Sequence, residues 1–215
     1  MKSILTFVLL TSMFAFVSCG EKFDELKQAA EIIEKAPEIA DNMEKSAKES
    51  EKRLQERRAK GDTLALKFTE LMKYLPESID GYTLGKPEGQ TTNTMGFSFS
   101  NAKHTFTKEN ADGSTDLVTM ELFDYNQGHE FFAGLTMWTT MGMSFENTDG
   151  WQKTFDTGIA DVFALEDYKY DGKRTSLTYA IGYRFYLSIN VENVEGTDFA
   201  KNLAKKVDMK SLAKM

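Results

Sequence analysis

The 215-residue chain carries 33 acidic against 26 basic side chains, a formal net charge of −7, with 41% hydrophobic and 27% charged residues. That balance excludes the basic footprint that nucleic-acid phosphates demand, and it offers no attraction to anionic lipid headgroups. The length suits one domain plus an appendage. Of the 16 Phe, 8 Tyr and 2 Trp, only Phe23 falls between Cys19 and Lys67, so the material for a core lies in the C-terminal three-quarters.

The chain opens with one basic residue, Lys2, before an apolar run from Ile4 to Val17, and then Ser18, Cys19, Gly20 and the charged Glu21-Lys22. A run this short does not reach the roughly 20 apolar residues that a membrane-spanning helix needs. Its order, basic start, apolar middle and small residue at the end, is that of a secretory signal. Phe16-Val17-Ser18-Cys19 resembles the lipobox of bacterial lipoprotein signal peptides, with Phe16 where the pattern usually has Leu. The resemblance implies removal of residues 1–18 and acylation of Cys19, with palmitate-like chains on its sulfur and a further chain on its amine. More than one chain is what stable anchoring takes. It also implies a bacterial envelope address, and Gly20 after the cysteine, where inner-membrane lipoproteins often carry Asp, points to the outer membrane facing the periplasm. The alternative is an ordinary secretory cut near Ser18. That would leave Cys19, the sole cysteine, as an unpaired thiol in an oxidising compartment.

Residues 19–61 read as a charged helical tether. Between Glu21 and Lys60 lie 11 acidic and 10 basic residues, with acid-to-base pairs at i,i+4 in Glu31–Lys35, Asp41–Lys45, Glu44–Lys48 and Glu49–Arg53. Phe23, Leu26, Ala30 and Ile33 form an apolar stripe that thins to Ala40, Ala47 and Leu54, short of a sustained coiled coil. Pro37 is expected to open a second helix at its first position. If helical throughout, such a spacer reaches roughly 60 Å at about 1.5 Å per residue. A helix that docks a partner is the other reading.

Residues 62–215 read as the globular domain. Asp62 is placed to cap a helix whose apolar face is Leu64, Phe68, Leu71, Met72 and Leu75, ended by Pro76. From Tyr82 the period changes to two. Phe97 and Phe99 alternate with Ser98 and Ser100, and Leu117 to Tyr125 alternate through Val118, Met120 and Leu122. Tyr183, Phe185, Leu187, Ile189 and Val191 form the cleanest strand. Asp112-Gly113 and Asp171-Gly172 mark tight hairpin turns. His129–Met141 is expected to be a helix across the sheet, and Asp198–Val207 another, capped by Thr197 or Asp198. The fold class is therefore α+β: an antiparallel, curved sheet with helices packed on one face, preceded by the charged spacer. Leu75-Pro76-Glu77-Ser78-Ile79-Asp80-Gly81-Tyr82, Phe97–Ser100 and Tyr183-Arg184-Phe185 are similar to a pattern in exported bacterial proteins of uncharacterised function, which implies a shared fold.

No catalytic constellation stands out. The two histidines, His104 and His129, lack any G-x-S-x-G elbow, H-E-x-x-H or phosphate loop around them. The acids Asp149, Asp156, Asp161, Glu166, Asp167 and Asp171 lack the spacing of a calcium loop. The most suggestive cluster is Met137, Trp138 and Met141, with Met143 nearby. Two methionines on one helical face suit a soft ligand such as Cu(I), and equally suit the filling of an irregular core. These three are the candidate ligand-binding residues, with no cofactor and no metal assigned. The reading that follows is an envelope lipoprotein anchored through Cys19, acting by binding either an envelope protein or an apolar small molecule. An envelope assembly factor is the alternative, and a hydrolase with a site invisible in sequence the third.

Overall fold

The computed structural model describes residues 22–94, 97–126 and 144–215. Cys19, His129, the expected helix over 129–141 and the candidates Met137, Trp138 and Met141 lie outside the described residues. The chain divides into two compact units between Ala40 and Asp41.

Helix α1 (Lys22–Ala59) carries Pro37 in its interior, where a second helix start was expected. Proline removes one intrahelical hydrogen bond. The turns after it are knitted by the charge pairs read from sequence: Asp41–Lys45 and Glu44–Lys48 at 2.6 Å and Glu49–Arg53 at 2.9 Å. The first unit contains residues 22–40 of this helix.

Residues 41–59 belong to the second, globular unit, although they fall within the stretch 19–61 read as tether. Leu54 is fully buried, and the arginine Arg57 is buried as well. Arg53 reaches Asp161 at 2.7 Å, and Arg57 donates to the Asn126 side chain at 2.8 Å. A charged pattern looks solvated in one dimension, but these arginines find their acceptors at the strand ends.

The globular unit is built on an open antiparallel sheet of nine strands. They are β1 (Thr83–Leu84), β2 (Glu88–Thr94), β3 (Phe97–Glu109), β4 (Thr115–Asp124), β5 (Ser144–Asn147), β6 (Gly150–Asp156), β7 (Val162–Lys169), β8 (Arg174–Ile181) and β9 (Phe185–Glu192). The spatial order is β1-β3-β4-β9-β8-β7-β6-β5, with β2 also on β3. Short helices α2 (Phe68–Leu71), α3 (Asp198–Ala204) and α4 (Met209–Leu212) complete it. This is the expected α+β class.

Alternation decides the core. Ala102, Phe106, Val118, Met120, Leu122, Leu177, Leu187 and Ile189 point to one face, where Leu71, Leu75, Leu203 and Leu212 cover them. The opposite face carries half-buried aromatics, with Phe123 stacked on Tyr125 at 5.8 Å and set beside Tyr186 at 5.5 Å. Both expected hairpin turns form. Asp112 accepts from the Ser114 amide at 3.0 Å, and Gly113 and Gly172 take positive φ.

The helix expected from Asp62 shrinks to Phe68–Leu71 and a 3₁₀ turn at Met72–Tyr74. The amides that would start it are taken by the sheet instead. Ala65 N–H donates to Ser98 Oγ at 2.6 Å, Leu66 to Asp124 Oδ2 at 2.8 Å and Phe68 to Thr91 Oγ1 at 2.8 Å. Ser98 is buried under this connector and Ser100 is buried with its hydroxyl on Thr91 and the Gln90 carbonyl, while their neighbour Phe99 is half-exposed. Strand β9 begins at Phe185, after a turn in which Gly182 and Tyr183 have positive φ. A Cβ on Gly182 would stand 2.8 Å from the Ala213 backbone, so the glycine lets the end of α4 close onto the sheet.

Candidate functional site

At one end of the core face the structure spends its charges on holding. Arg184, 2% exposed, donates through Nε to Asp124 Oδ1 at 2.9 Å, through Nη2 to Asp124 Oδ2 at 2.8 Å and through Nη1 to Asp62 Oδ2 at 2.6 Å. Burial opposes its charge most, but the bonds and charges of Asp124 and Asp62 together outweigh it and raise its pKa. Asn126 then joins three segments. Its amide donates to Asp62 Oδ1 at 3.0 Å and to the Leu64 carbonyl at 2.8 Å, while its oxygen accepts from Arg57. Burial, and then the neighbouring Arg184 charge, lower the Arg57 pKa. Each group here has its partners, and the cluster latches α1 and the connector after it onto the sheet.

His104 is likewise structural. It is buried beside Phe106, and its Nδ1 lies 2.9 Å from the Pro76 carbonyl. A carbonyl can only accept, so Nδ1 carries the proton and the ring is fixed as a staple for the Pro76 loop. Asp116 holds the β3–β4 hairpin in the same manner, accepting from Asn110, Asn193, Tyr82 and Lys108. Burial opposes its charge, and those donors lower its pKa nonetheless.

The other end of the core face is different. Cross-strand register sets Lys153 opposite Glu166, Phe155 opposite Ala164 and Ala164 opposite Tyr179. These side chains share the core face, and α3, which packs on β8 and β9, borders them on one side. The result is an open groove of about 890 Å³. Its apolar lining comprises Phe155, Ile159, Tyr179, Val207 and Met209, and Lys201, Lys205, Lys206 and Lys210 stand around it with Asp156, Asp198 and Asp208. The volume falls in the range typical of small-molecule sites, and the lining mixes apolar with charged side chains.

Two polar groups at the groove are incompletely satisfied. Tyr179 is 3% exposed, packed edge-on against Phe155 at 5.9 Å, and no described residue hydrogen-bonds its hydroxyl. Burial, and then the charge of Glu166, raise its pKa, so the hydroxyl stays neutral and able to donate. Glu166 is fully buried. Its Oε2 accepts from Thr197 Oγ1 at 2.8 Å and Lys201 Nζ at 2.7 Å, while Oε1 has no hydrogen bond and only Lys153 Nζ at 3.6 Å. Lys201 also lies over the Phe155 ring at 4.9 Å, between the buried acid and the groove.

The acids of 149–171 do not converge. Asp156 caps the Gly158 amide, Asp161 pairs with Arg53, Asp167 with Lys169, and Glu166 is buried. Among the described residues no group of three His, Cys, Asp or Glu is placed to hold a metal ion. None of the described helices is long and apolar enough to cross a membrane.

Sequence reasoning missed the groove, though signals for it exist. Glu166 occupies a core position in the alternation Val162, Ala164, Glu166, Tyr168, and an acid in that register must be either neutralised or used. The lysines at 201, 205, 206 and 210 cluster on the segment that closes the chain.

Comparison with known proteins gives little further definition. No family model matches the chain, and no curated protein matches it. Among solved structures, the extracellular domain of PknH from Mycobacterium tuberculosis is similar over 71% of this chain and 98% of that one. The identity is 10% and the TM-score 0.44.

Proposed function

We propose that the chain is a lipid-anchored envelope lipoprotein, held through Cys19, whose globular unit works by binding a small molecule with a substantial apolar part. The groove beside α3 and α4 carries this reading: about 890 Å³, lined in part by Phe155, Ile159, Tyr179, Val207 and Met209, with the Tyr179 hydroxyl bonded to no described residue. The lipobox-like Phe16-Val17-Ser18-Cys19 supports the anchor. Helix residues beyond Asp41 are packed into the globular unit, so only the stretch before them remains available as tether. In this reading the latch around Arg184 fixes the domain's frame, and the groove is the working surface.

Native mass spectrometry of the chain recovered from membranes tests both halves. Wild type is expected to carry acyl mass on Cys19 and to co-purify with, or take up, an added amphiphile. Cys19→Ala is expected to lose the acyl mass and membrane retention while keeping uptake. An unmodified soluble wild type contradicts the anchor. A chain always recovered empty, and unchanged on challenge, contradicts binding.

A further inference from the structure

We infer that helix α1 carries a releasable strap: residues 41–53 peel from the end of the sheet while the domain stays folded, and the peeling stops at Leu54. The strap belongs to the globular unit alone, and the anchor of the proposed function enters only as the source of tension on it.

The face that α1 turns to the domain is graded. Between Asp41 and Ala59 the buried residues are Ser46, Ser50, Leu54 and Arg57, which share one helical face. The C-terminal end of that face is held firmly. Leu54 is fully buried, and Arg57 donates to the Asn126 side chain at 2.8 Å and to its carbonyl at 3.3 Å. The Arg57 carbonyl in turn accepts from the Asp62 amide at 2.9 Å. Among residues 41–53, by contrast, no large apolar side chain is buried, and Met43 is exposed. Ser46 makes a side-chain hydrogen bond with Tyr183, and Arg53 meets Asp161 at 2.7 Å with both side chains about a third exposed. The Ser50 hydroxyl is buried with no hydrogen-bond partner among the described residues. An open cleft of about 710 Å³ is lined jointly by this stretch and by Phe163 and Tyr183. A part-exposed ion pair holds weakly, and a buried hydroxyl without a partner works against docking. Local opening begins where buried apolar contacts are few.

The receiving surface is nonetheless specific. Tyr183 sits in the two-residue turn Gly182-Tyr183 between β8 and β9, closed by the Arg184 amide on the Ile181 carbonyl at 3.2 Å. Its φ is 56°, and that of Asp161 is 59°. The left-handed region is costly for an aromatic residue, and hairpin turns of this kind ordinarily use Asn, Asp and Gly. The Gly182 amide donates to the Asp161 carbonyl at 2.8 Å and ties the two turn tips together. The backbone thus bears strain at the two tips that present the Tyr183 ring and the Asp161 carboxylate to α1. Strain of this kind clusters at clamps and switches.

Tension reaching α1 from its N-terminal side loads Ser46, then Ser50, then Arg53, and meets Leu54 and Arg57 last. Release of residues 41–53 adds roughly 20 Å of helix to the tether at about 1.5 Å per residue. It also uncovers Tyr183, which is 7% exposed and packs with Ala180 and Phe163 in a cluster apart from the main core.

Electron-spin distance measurement on the full-length Cys19→Ala chain tests the strap. Nitroxide pairs are placed at Lys48→Cys with Asp171→Cys, and at Glu56→Cys with Asp171→Cys, all of them exposed positions. The Lys48 pair is expected to show a docked distance and a minor second one, and the Glu56 pair a single distance. Arg53→Ala should enlarge the second Lys48 population about two- to fivefold, with the amides of β8 and β9 exchanging as in the parent chain. Adding Ser50→Ala, which removes the buried hydroxyl, should reverse that gain. A single Lys48 distance in all three chains overturns the strap. Two distances at Glu56 as well overturn the stop at Leu54. A second Lys48 population that Arg53→Ala leaves unchanged overturns Asp161 as part of the clamp. The measurement needs no lipid, so an unacylated wild type, which contradicts the anchor, leaves its outcome readable.

Discussion

Two buried carboxylates on one sheet, Asp124 and Glu166, show how differently the two ends of the core face are finished. Asp124 takes both branches of the Arg184 fork and the Leu66 amide, and the arginine it holds is sealed at 2% exposure. Glu166 is as deeply buried, yet one of its oxygens has no hydrogen bond, its lysine partners are half open to solvent, and the tyrosine nearby has an idle hydroxyl. Full satisfaction of a buried polar network rigidifies and specifies a structure, while partial satisfaction costs stability. The sheet thus has a finished end that joins α1 to the strands and an unfinished end that opens to a groove. Of the two unfinished groups only the Tyr179 hydroxyl belongs to a residue that lines the groove, and it is the one a ligand there could complete.

The sharpest way to break this comparison is to remove Asp124. Asp124→Ala leaves Arg184 buried with Asp62 alone, and loss of one partner from a buried pair costs about 3–5 kcal/mol. Denaturant unfolding should show it, and a loss under about 1 kcal/mol would deny the latch its role. Next in size is Leu54→Ala. This residue is fully buried on a helix whose pattern looks solvated, and the truncation is expected to cost about 2–5 kcal/mol. A surface-like loss below about 0.5 kcal/mol would return residues 41–59 to the tether. Glu166→Gln should cost less than Asp124→Ala, about 1–2 kcal/mol, because Lys201 can turn to water and Thr197 keeps an acceptor.

A pH measurement sharpens the same contrast at the hairpin. The Tyr82 hydroxyl, bonded to Asp116 at 3.2 Å, has its pKa pushed up to about 12, first by burial and then by the Asp116 charge and hydrogen bond. Between the ordinary value of 10.0 and about 12 the folded chain keeps a proton that the unfolded chain has lost. Stability should therefore be intact below pH 10 and fall as pH rises through that window. In Tyr82→Phe that part of the alkaline slope should vanish, as measured by unfolding midpoints across the window. The smallest effect belongs to the groove: Tyr179→Phe removes a hydroxyl with no protein partner and should leave stability within about 0.5 kcal/mol. A clear loss would mean the hydroxyl serves the fold.

Much of this architecture is legible in the residues. Alternation through Val118, Met120 and Leu122 and through Phe185, Leu187 and Ile189 identifies core strands, and Asp112-Gly113 and Asp171-Gly172 identify turns, because these are local properties of the chain. The misread elements are those settled by distant partners. Asp62 looks like a helix cap, and caps nothing because Arg184, far along the chain, claims its carboxylate. Arg53 and Arg57 look like solvent charges on a spacer until Asp161 and Asn126 arrive from strand ends. Pro37 looks like a helix start and lies inside one. The groove was illegible for the same reason, since the register of β6, β7 and β8 brings Phe155 and Tyr179 together and α3 adds Lys201 from a distant part of the chain. Glu166 alone gave notice, as an acid in an apolar register.

The central claim is that the unfinished end of the sheet is where this protein meets its ligand. Amide hydrogen exchange on the full-length Cys19→Ala chain, with and without dodecanoate, tests it most directly. Added protection is expected only at residues 150–159 and 198–210, with the latch around Arg184 unchanged. Protection absent from those segments, or centred instead on the strands β1 to β4, would contradict it.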